Sequence, residues 1–262
     1  MKDWDQERKI AVLIDAENAQ RAVLGATLAE LSKHGHILVK RAYGDWSSER
    51  LKNWKEPLNE MAITPMQQFS YTQGKNSSDM ALVIDAMDLL YAGRCDAFAL
   101  VSSDSDFTKL ASWLRENEKY VFVIGEQRTP PALVNACDDF ISVEVLKDSV
   151  AKEVGDMEKN GASASQSASV QQLEKELPET KRLVSILKNA VQENSDDDDD
   201  GWALLARCGS LIKRQNPDFD TRTYGFAKLG ELIKATGLFD VKQRKSGSGE
   251  AIFIKDKHNK GG

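Results

Sequence analysis

The chain has 262 residues, of which 41% are hydrophobic and 29% charged, enough for one large domain or two smaller ones with their own cores. No apolar run approaches the ~20 residues of a membrane helix, and the charged N-terminus leads straight into a strand-like run, so neither a membrane span nor a signal peptide is expected. Three scattered cysteines, Cys95, Cys137 and Cys208, argue against a disulfide framework or a Cys-based zinc site and point to a reduced, cytoplasmic setting.

The net charge of -6 is unevenly distributed. Residues 1–150 carry 17 Lys/Arg against 23 Asp/Glu, residues 151–200 carry 6 against 12, and residues 201–262 carry 12 against 6. Only the basic end has the balance of a surface that meets a nucleic-acid backbone.

In chain order, the first 147 residues alternate strand and helix signals. Lys9 to Ile14 is an apolar run of buried-strand type that ends in Asp15-Ala16-Glu17-Asn18. Leu24, Leu28 and Leu31 recur at helical spacing; Ile37–Tyr43 reads as a second strand and Glu49–Met61 as a second helix. Met66–Tyr71 reads as a third strand, followed by the polar loop Gly74-Lys75-Asn76-Ser77-Ser78 and a helix opened by Asp79. Ala97–Val101 is the next buried strand, ended by Ser102-Ser103-Asp104-Ser105-Asp106-Phe107. A helix through Leu110 and Leu114, a strand Tyr120–Ile124, a short helix Leu133–Cys137 and a closing segment Phe140–Leu146 complete the series. Nearly continuous apolar strands separated by helices predict an α/β fold, a mostly parallel sheet covered on both faces.

Residues 148–177 change character: the run Gly161 to Ser169 has little to bury and reads as a flexible linker. Beyond it, Leu183, Ile186, Leu187, Ala190 and Val191 form a helix face, and Asp196 to Asp200 reads as a solvated acidic insertion. Trp202–Ile212 and Ala227–Ala235 read as further helices, and Phe239–Gln243 and Ala251–Ile254 as two short strands. Three helices followed by a hairpin describe a small winged-helix domain over 178–257, with 258–262 as a tail. Trp202, Phe219, Tyr224 and Phe226 are expected in its core, because small domains need their large aromatics inside.

The chemistry concentrates where strands end. In parallel α/β sheets sites form beyond the carboxyl ends of the strands; Asp15 follows one buried strand, Asp104 and Asp106 another, and Asp79 stands in the first turn of a helix. If the two strands are neighbours, the four carboxylates converge, repel one another, and are relieved by a divalent cation. An oxygen-only donor set favours Mg2+ or Mn2+ over zinc. Such an ion acidifies a water for attack on a phosphodiester, and Asn18 is placed to orient that water or the phosphate. Any one of these aspartates alone reads as a helix cap; it is the joint placement that favours a metal site.

The segments Leu13-Ile14-Asp15-Ala16-Glu17-Asn18, Lys75-Asn76-Ser77-Ser78-Asp79 and Val101-Ser102-Ser103-Asp104-Ser105-Asp106-Phe107 resemble, in order, the three motifs of NYN domains, which are PIN-like ribonuclease domains that include a LabA-like bacterial group. The resemblance spans roughly residues 8–147, within a domain of residues 1–147, and implies a parallel sheet with flanking helices and a groove for single-stranded nucleic acid. It further implies that Asp15, Asp79, Asp104 and Asp106 are the metal-binding catalytic set with Asn18 in the same pocket, and that a homodimer is to be looked for. Residues 178–257 resemble an OST-HTH (LOTUS) domain through Leu183 to Leu187, Trp202 to Leu205, Gly209 to Lys213, Pro217 to Phe219, Tyr224 to Phe226, Leu229, Leu232 and Phe239. That implies binding of RNA or of a protein partner, and Lys213, Arg214, Arg222, Lys228, Lys242, Arg244 and Lys245 are the residues available to phosphates.

The sequence therefore predicts a Mg2+- or Mn2+-dependent ribonuclease with an RNA- or partner-binding module. A rival is a non-catalytic RNA-binding adaptor that keeps the fold. A small-molecule phosphatase is disfavoured, because the first strand is not followed by a nucleophilic Asp-x-Asp. The run Lys245 to Gly249 lacks the ending of a phosphate loop and reads as the wing tip. His34 and His36 have no nearby third ligand.

Overall fold

Ile10 to Ile14, in the first strand, have no solvent exposure at all, which a strand achieves only when both of its faces are covered. In the computed structural model, which describes residues 7–69, 76–148, 177–195, 201–246 and 249–257, that strand, β1 (Lys9–Asp15), sits at the middle of a six-stranded sheet. Its companions are β2 (His36–Gly44), β3 (Thr64–Gln67), β4 (Ala97–Val101), β5 (Tyr120–Gly125) and β6 (Asp139–Ser142). The order is β3-β2-β1-β4-β5-β6, and every pairing is parallel. The α/β expectation holds.

Side-chain alternation divides the core into two layers. Ile10, Val12, Ile14, Ala42, Ala97, Ala99 and Val101 pack on one face, with α1 (Leu24–Leu31) and α2 (Lys55–Glu60) supplying Leu24, Leu31 and Leu58. Ala11, Leu13, Tyr43, Phe98 and Leu100 pack on the other, against Leu82, Ala86, Leu89 and Leu90 of α3 (Ser77–Tyr91) and Leu110, Ala111 and Leu114 of α4 (Thr108–Glu116). A fully buried aliphatic side chain contributes about 1.5–3 kcal/mol, so β1 alone anchors the domain. A short α5 (Pro131–Ala136) forms part of the β5–β6 connection.

Three boundaries differ from the sequence expectation. The third strand runs over Thr64–Gln67 rather than Met66–Tyr71, because Thr64 to Gln67 find partners at Arg41 to Gly44 of β2; residues 70–75, including Gly74 and Lys75, lie outside the described residues. The closing strand stops at Ser142, and residues 143–148 are helical; the hydroxyl of Ser142 accepts from the Glu144 amide (3.2 Å), which turns the chain there. The helix expected over Glu49–Met61 opens as a 3-10 turn at Glu49–Trp54, capped by Ser48, before α2.

Contacts divide the chain into two compact units, Met1–Asn160 and Gly161–Gly262. In the second, α6 (Leu177–Asn194), α7 (Leu205–Gln215) and α8 (Leu229–Thr236) enclose a core of Leu183, Leu187, Ala190, Cys208, Ile212, Leu232 and Ile233. Its sheet has three strands, ordered β7 (Ala203–Leu204), β9 (Gly249–Asp256), β8 (Phe239–Ser246), all antiparallel, where a two-stranded hairpin was expected. Trp202 accordingly stands before a strand and not inside a helix. The linker core 149–176, the acidic run 196–200 and the tail 258–262 lie outside the described residues. Among the described residues no helix is long and apolar enough to cross a membrane.

Candidate active site

The strand order reverses direction between β1 and β4, and in open parallel sheets ligands bind in the crevice beyond the carboxyl ends at that point. Asp15 ends β1, and Ser102 follows β4 immediately. These two residues meet: Ser102 Oγ donates to Asp15 Oδ2 at 2.8 Å. Asn18 Nδ2 donates to the same oxygen at 2.8 Å, while the backbone amides of Glu17 and Asn18 donate to Oδ1 at 3.2 and 3.3 Å. A carboxylate has about four acceptor positions, so those of Asp15 are filled. Burial raises its pKa, and the bonds from Asn18 and Ser102 pull the other way.

Asp104 and Asp106 lie in the turn beyond Ser102. The Asp104 amide donates to Ser102 Oγ (3.1 Å), and Asp104 Oδ1 caps the following 3-10 turn by accepting from the Asp106 amide (2.9 Å). Asp106 Oδ2 accepts from Asn76 Nδ2 at 2.8 Å, which ties the β4 turn to the residue just ahead of α3. Asp79 stands in the first turn of α3, half-buried. Its carboxyl is pushed up to about 6, first by burial and then by the charges of Asp15, Asp104, Glu17 and Asp106.

All four sequence-nominated aspartates are thus near one another, and Asn18 joins them through Asp15. Sequence reasoning did not assign roles to Glu17 and Ser102. Both follow strands directly, the same signal that found Asp15 and Asp104, but Ser102 reads as ordinary turn polarity until β1 and β4 are known to be neighbours. The rim is closed by Gln20 Nε2, which donates to Glu126 Oε1 (2.6 Å) from the β1 loop to the end of β5.

The donor chemistry suits a hard divalent cation, since every acidic group is an oxygen donor and the Lys/Arg side chains take no part in the bonds just described. Among the described residues, however, no three Asp, Glu, His or Cys side chains stand close enough to share one ion as placed. An ion of the Mg2+ type needs only one or two carboxylates directly and fills its shell with water, so the residues fit in kind while standing wider than a closed shell. Two open clefts of about 770 and 590 Å3 lie at the opposite edge, around Arg8, Asp96, Lys119 and Tyr120, which precede or begin strands. They mix both signs of charge and lie away from the switch point, so the acidic crevice is the better candidate.

The seven basic residues proposed in the C-terminal unit fall on different elements. Lys213 and Arg214 end α7, Lys228 precedes α8, and Lys242, Arg244 and Lys245 lie along β8. Arg222 is engaged by Asp220, with Nη2 to Oδ2 at 2.7 Å and Nε to Oδ1 at 3.1 Å. Burial would raise the Asp220 carboxyl, but these bonds hold it below its usual range. Of the four aromatics expected inside, Phe219 is buried and Tyr224 and Phe226 pack against the core, whereas Trp202 is half-buried.

Comparison with known proteins agrees with this architecture. The NYN domain model matches residues 9–145, just over half of the chain, and the OST-HTH/LOTUS domain model matches residues 178–250. The chain belongs to the NYN domain family, with an OST-HTH/LOTUS domain following. An uncharacterised protein of Methanocaldococcus jannaschii is 30% identical over 143 residues, 52% of this chain and 56% of that protein, so the chain spans about half the length of the curated relative it matches. A Vibrio parahaemolyticus crystal structure of unknown function aligns with 55% of this chain and 96% of its own, at 21% identity and a TM-score of 0.45. A solution structure from Chromobacterium violaceum aligns with 29% of this chain and 82% of its own, at 27% identity and a TM-score of 0.25.

Proposed function

We propose that the protein is a Mg2+- or Mn2+-dependent ribonuclease that cleaves phosphodiester bonds of single-stranded RNA, its C-terminal unit holding the substrate. The observation that carries this reading is the gathering of Asp79, Asp15, Asp104, Glu17 and Asp106 at the switch point of the sheet, where burial first, and then the charge of the other four, raises the Asp79 carboxyl. When bound there, a divalent cation supplies charge neutralisation at the phosphate and an acidified water. Asp79, Asp104 and Asp106 are the residues that would hold it, alone or through water. Asp15, with its acceptor positions filled, acts mainly as the anchor that fixes Ser102, and through Ser102 the Asp104 backbone. Asn18 is clamped to Asp15 by its amide nitrogen, and its amide oxygen would orient a water or the phosphate.

Lys213, Arg214, Lys228, Lys242, Arg244 and Lys245 would meet RNA phosphates, with affinity that falls as salt rises. The three buried, unpaired cysteines fit a reducing cytoplasm; burial pushes Cys137 up to about 12 and Cys208 up to about 11, so neither is a reactive thiol.

The purified chain incubated with Mn2+ and a labelled single-stranded RNA is expected to cut it, and Asp104→Asn to reduce cutting at least about 100-fold, the scale of losing an electrostatic contact made in the transition state. Equal cleavage by both proteins removes the site. One observation favours a second reading, a non-catalytic RNA-binding adaptor: the aspartates already serve as caps and anchors, and no three share an ion as placed. That reading expects RNA binding without cleavage under any divalent ion.

A further inference from the structure

The sheet of the C-terminal unit has a core side and an open side. Val241 and Ile254 are partners on the core side, where Ile254 is fully buried. One residue along, Phe253 partners both Leu204 of β7 and Lys242 of β8, so these three point the other way. Alternation places Arg244 and Lys255 on this open face as well. Trp202, two residues ahead of Leu204, joins them: its ring lies 5.8 Å from Lys242 Nζ and 5.7 Å from Arg244 Cζ. Arg244 Cζ in turn lies 5.1 Å from the Phe253 ring. Trp202 and Phe253 are half-buried, and Lys242 is exposed.

A small domain ordinarily puts its large aromatics inside, yet here two of them stand on the solvent side, interleaved with three cations against one acid of the same face, Asp240. Aromatic faces that accept any base, set among cations that track a backbone, are what single-stranded nucleic acid requires. Trp202 and Phe253 border the same cation, with Arg244 Cζ 5.7 Å from one ring and 5.1 Å from the other, so two splayed bases can be received side by side. The surrounding segment supplies the matching charge, with 12 Lys/Arg against 6 Asp/Glu in residues 201–262, while the rest of the chain is acidic. We infer that the open face of this sheet is a stacking platform for single-stranded RNA: bases lie on Trp202 and Phe253, and phosphates meet Lys242, Arg244 and Lys255. The choice of RNA over DNA rests on the ribonuclease reading above; the stacking itself does not.

The test measures binding of the full chain to a fluorescein-labelled single-stranded RNA by anisotropy in EDTA, so that cleavage plays no part. Trp202→Ala is expected to weaken binding about tenfold, and Trp202→Phe, which keeps a stacking ring, to stay within about threefold of wild type. Lys242→Glu, at an exposed position, is expected to weaken binding and to lower the slope of log affinity against log salt by about 1 or more. Binding of Trp202→Ala and Lys242→Glu within twofold of wild type overturns the platform, and loss of a protein partner in the same variants would then mark the face as a protein-docking surface. RNA bound through Trp202 but never cut keeps the platform and removes the nuclease reading; RNA cut normally while Trp202→Ala binds normally does the reverse.

Discussion

Burial, and after it the charge gathered in the acidic crevice, holds the Asp79 carboxyl above its usual range. It rises from 3.8 to about 6 in the folded protein, so between those values the native state binds a proton that the unfolded chain has released. Stability of the metal-free protein therefore falls as pH rises through that window, and the full penalty is present above it. The rise corresponds to about 3 kcal/mol; because Asp79 is only half-buried, solvent screening leaves about 1–2 kcal/mol. Asp79→Asn removes the charge with little change of shape. In EDTA at pH 7.5 the variant is expected to unfold about 3–6 °C higher than wild type, followed by the fluorescence of Trp46, Trp54 and Trp113 in the N-terminal unit. At pH 4 the two are expected to coincide. Mn2+ is expected to raise the melting temperature of wild type and to raise that of Asp79→Asn less. A variant no more stable than wild type at pH 7.5, or a gain that persists at pH 4, would refute the convergence of charge on Asp79.

Ser102→Ala removes a bond that favours the Asp15 carboxylate. The acid limb of the pH–rate profile is expected to move to higher pH, and an unmoved limb would mean that Asp15 does not report on activity. Asp85 accepts from both Arg41 and Tyr43, pinning α3 to β2 one and a half turns beyond Asp79; Asp85→Ala is expected to destabilise by about 2–4 kcal/mol in urea titration, and Asp85→Asn by less. Gly125 ends β5 where an added Cβ would stand 2.5 Å from Thr129 Oγ1 and 3.1 Å from both Ser102 O and Ser103 Oγ. Gly125→Ala is expected to cost about 1–3 kcal/mol and to slow RNA cleavage by displacing the Ser102–Asp104 turn; wild-type cleavage would show that the turn tolerates the shift.

Much of this protein is determined locally and is legible in the sequence. A strand buried on both faces must be apolar along its whole length, so Ile10 to Ile14 and Ala97 to Val101 announce themselves, and a polar cluster just after such a run marks the carboxyl edge. That is why Asp15, Asp104 and Asp106 stand out as candidates from strand-end placement together with motif, and why the α/β class is legible. Edges and short elements were less legible. The third strand is decided by pairing with Arg41 to Gly44 rather than by its own residues, and Ala203-Leu204 becomes a strand only because Phe253 and Ile254 are there to receive it. The adjacency of β1 and β4 is a tertiary fact too, and with it comes the Ser102 bond that joins Asp15 to the Asp104 turn. Trp202 shows the limit most clearly. Composition argues for burying it, but the face of a sheet on which a side chain lands depends on register, and register turns it outward among Lys242, Arg244 and Phe253.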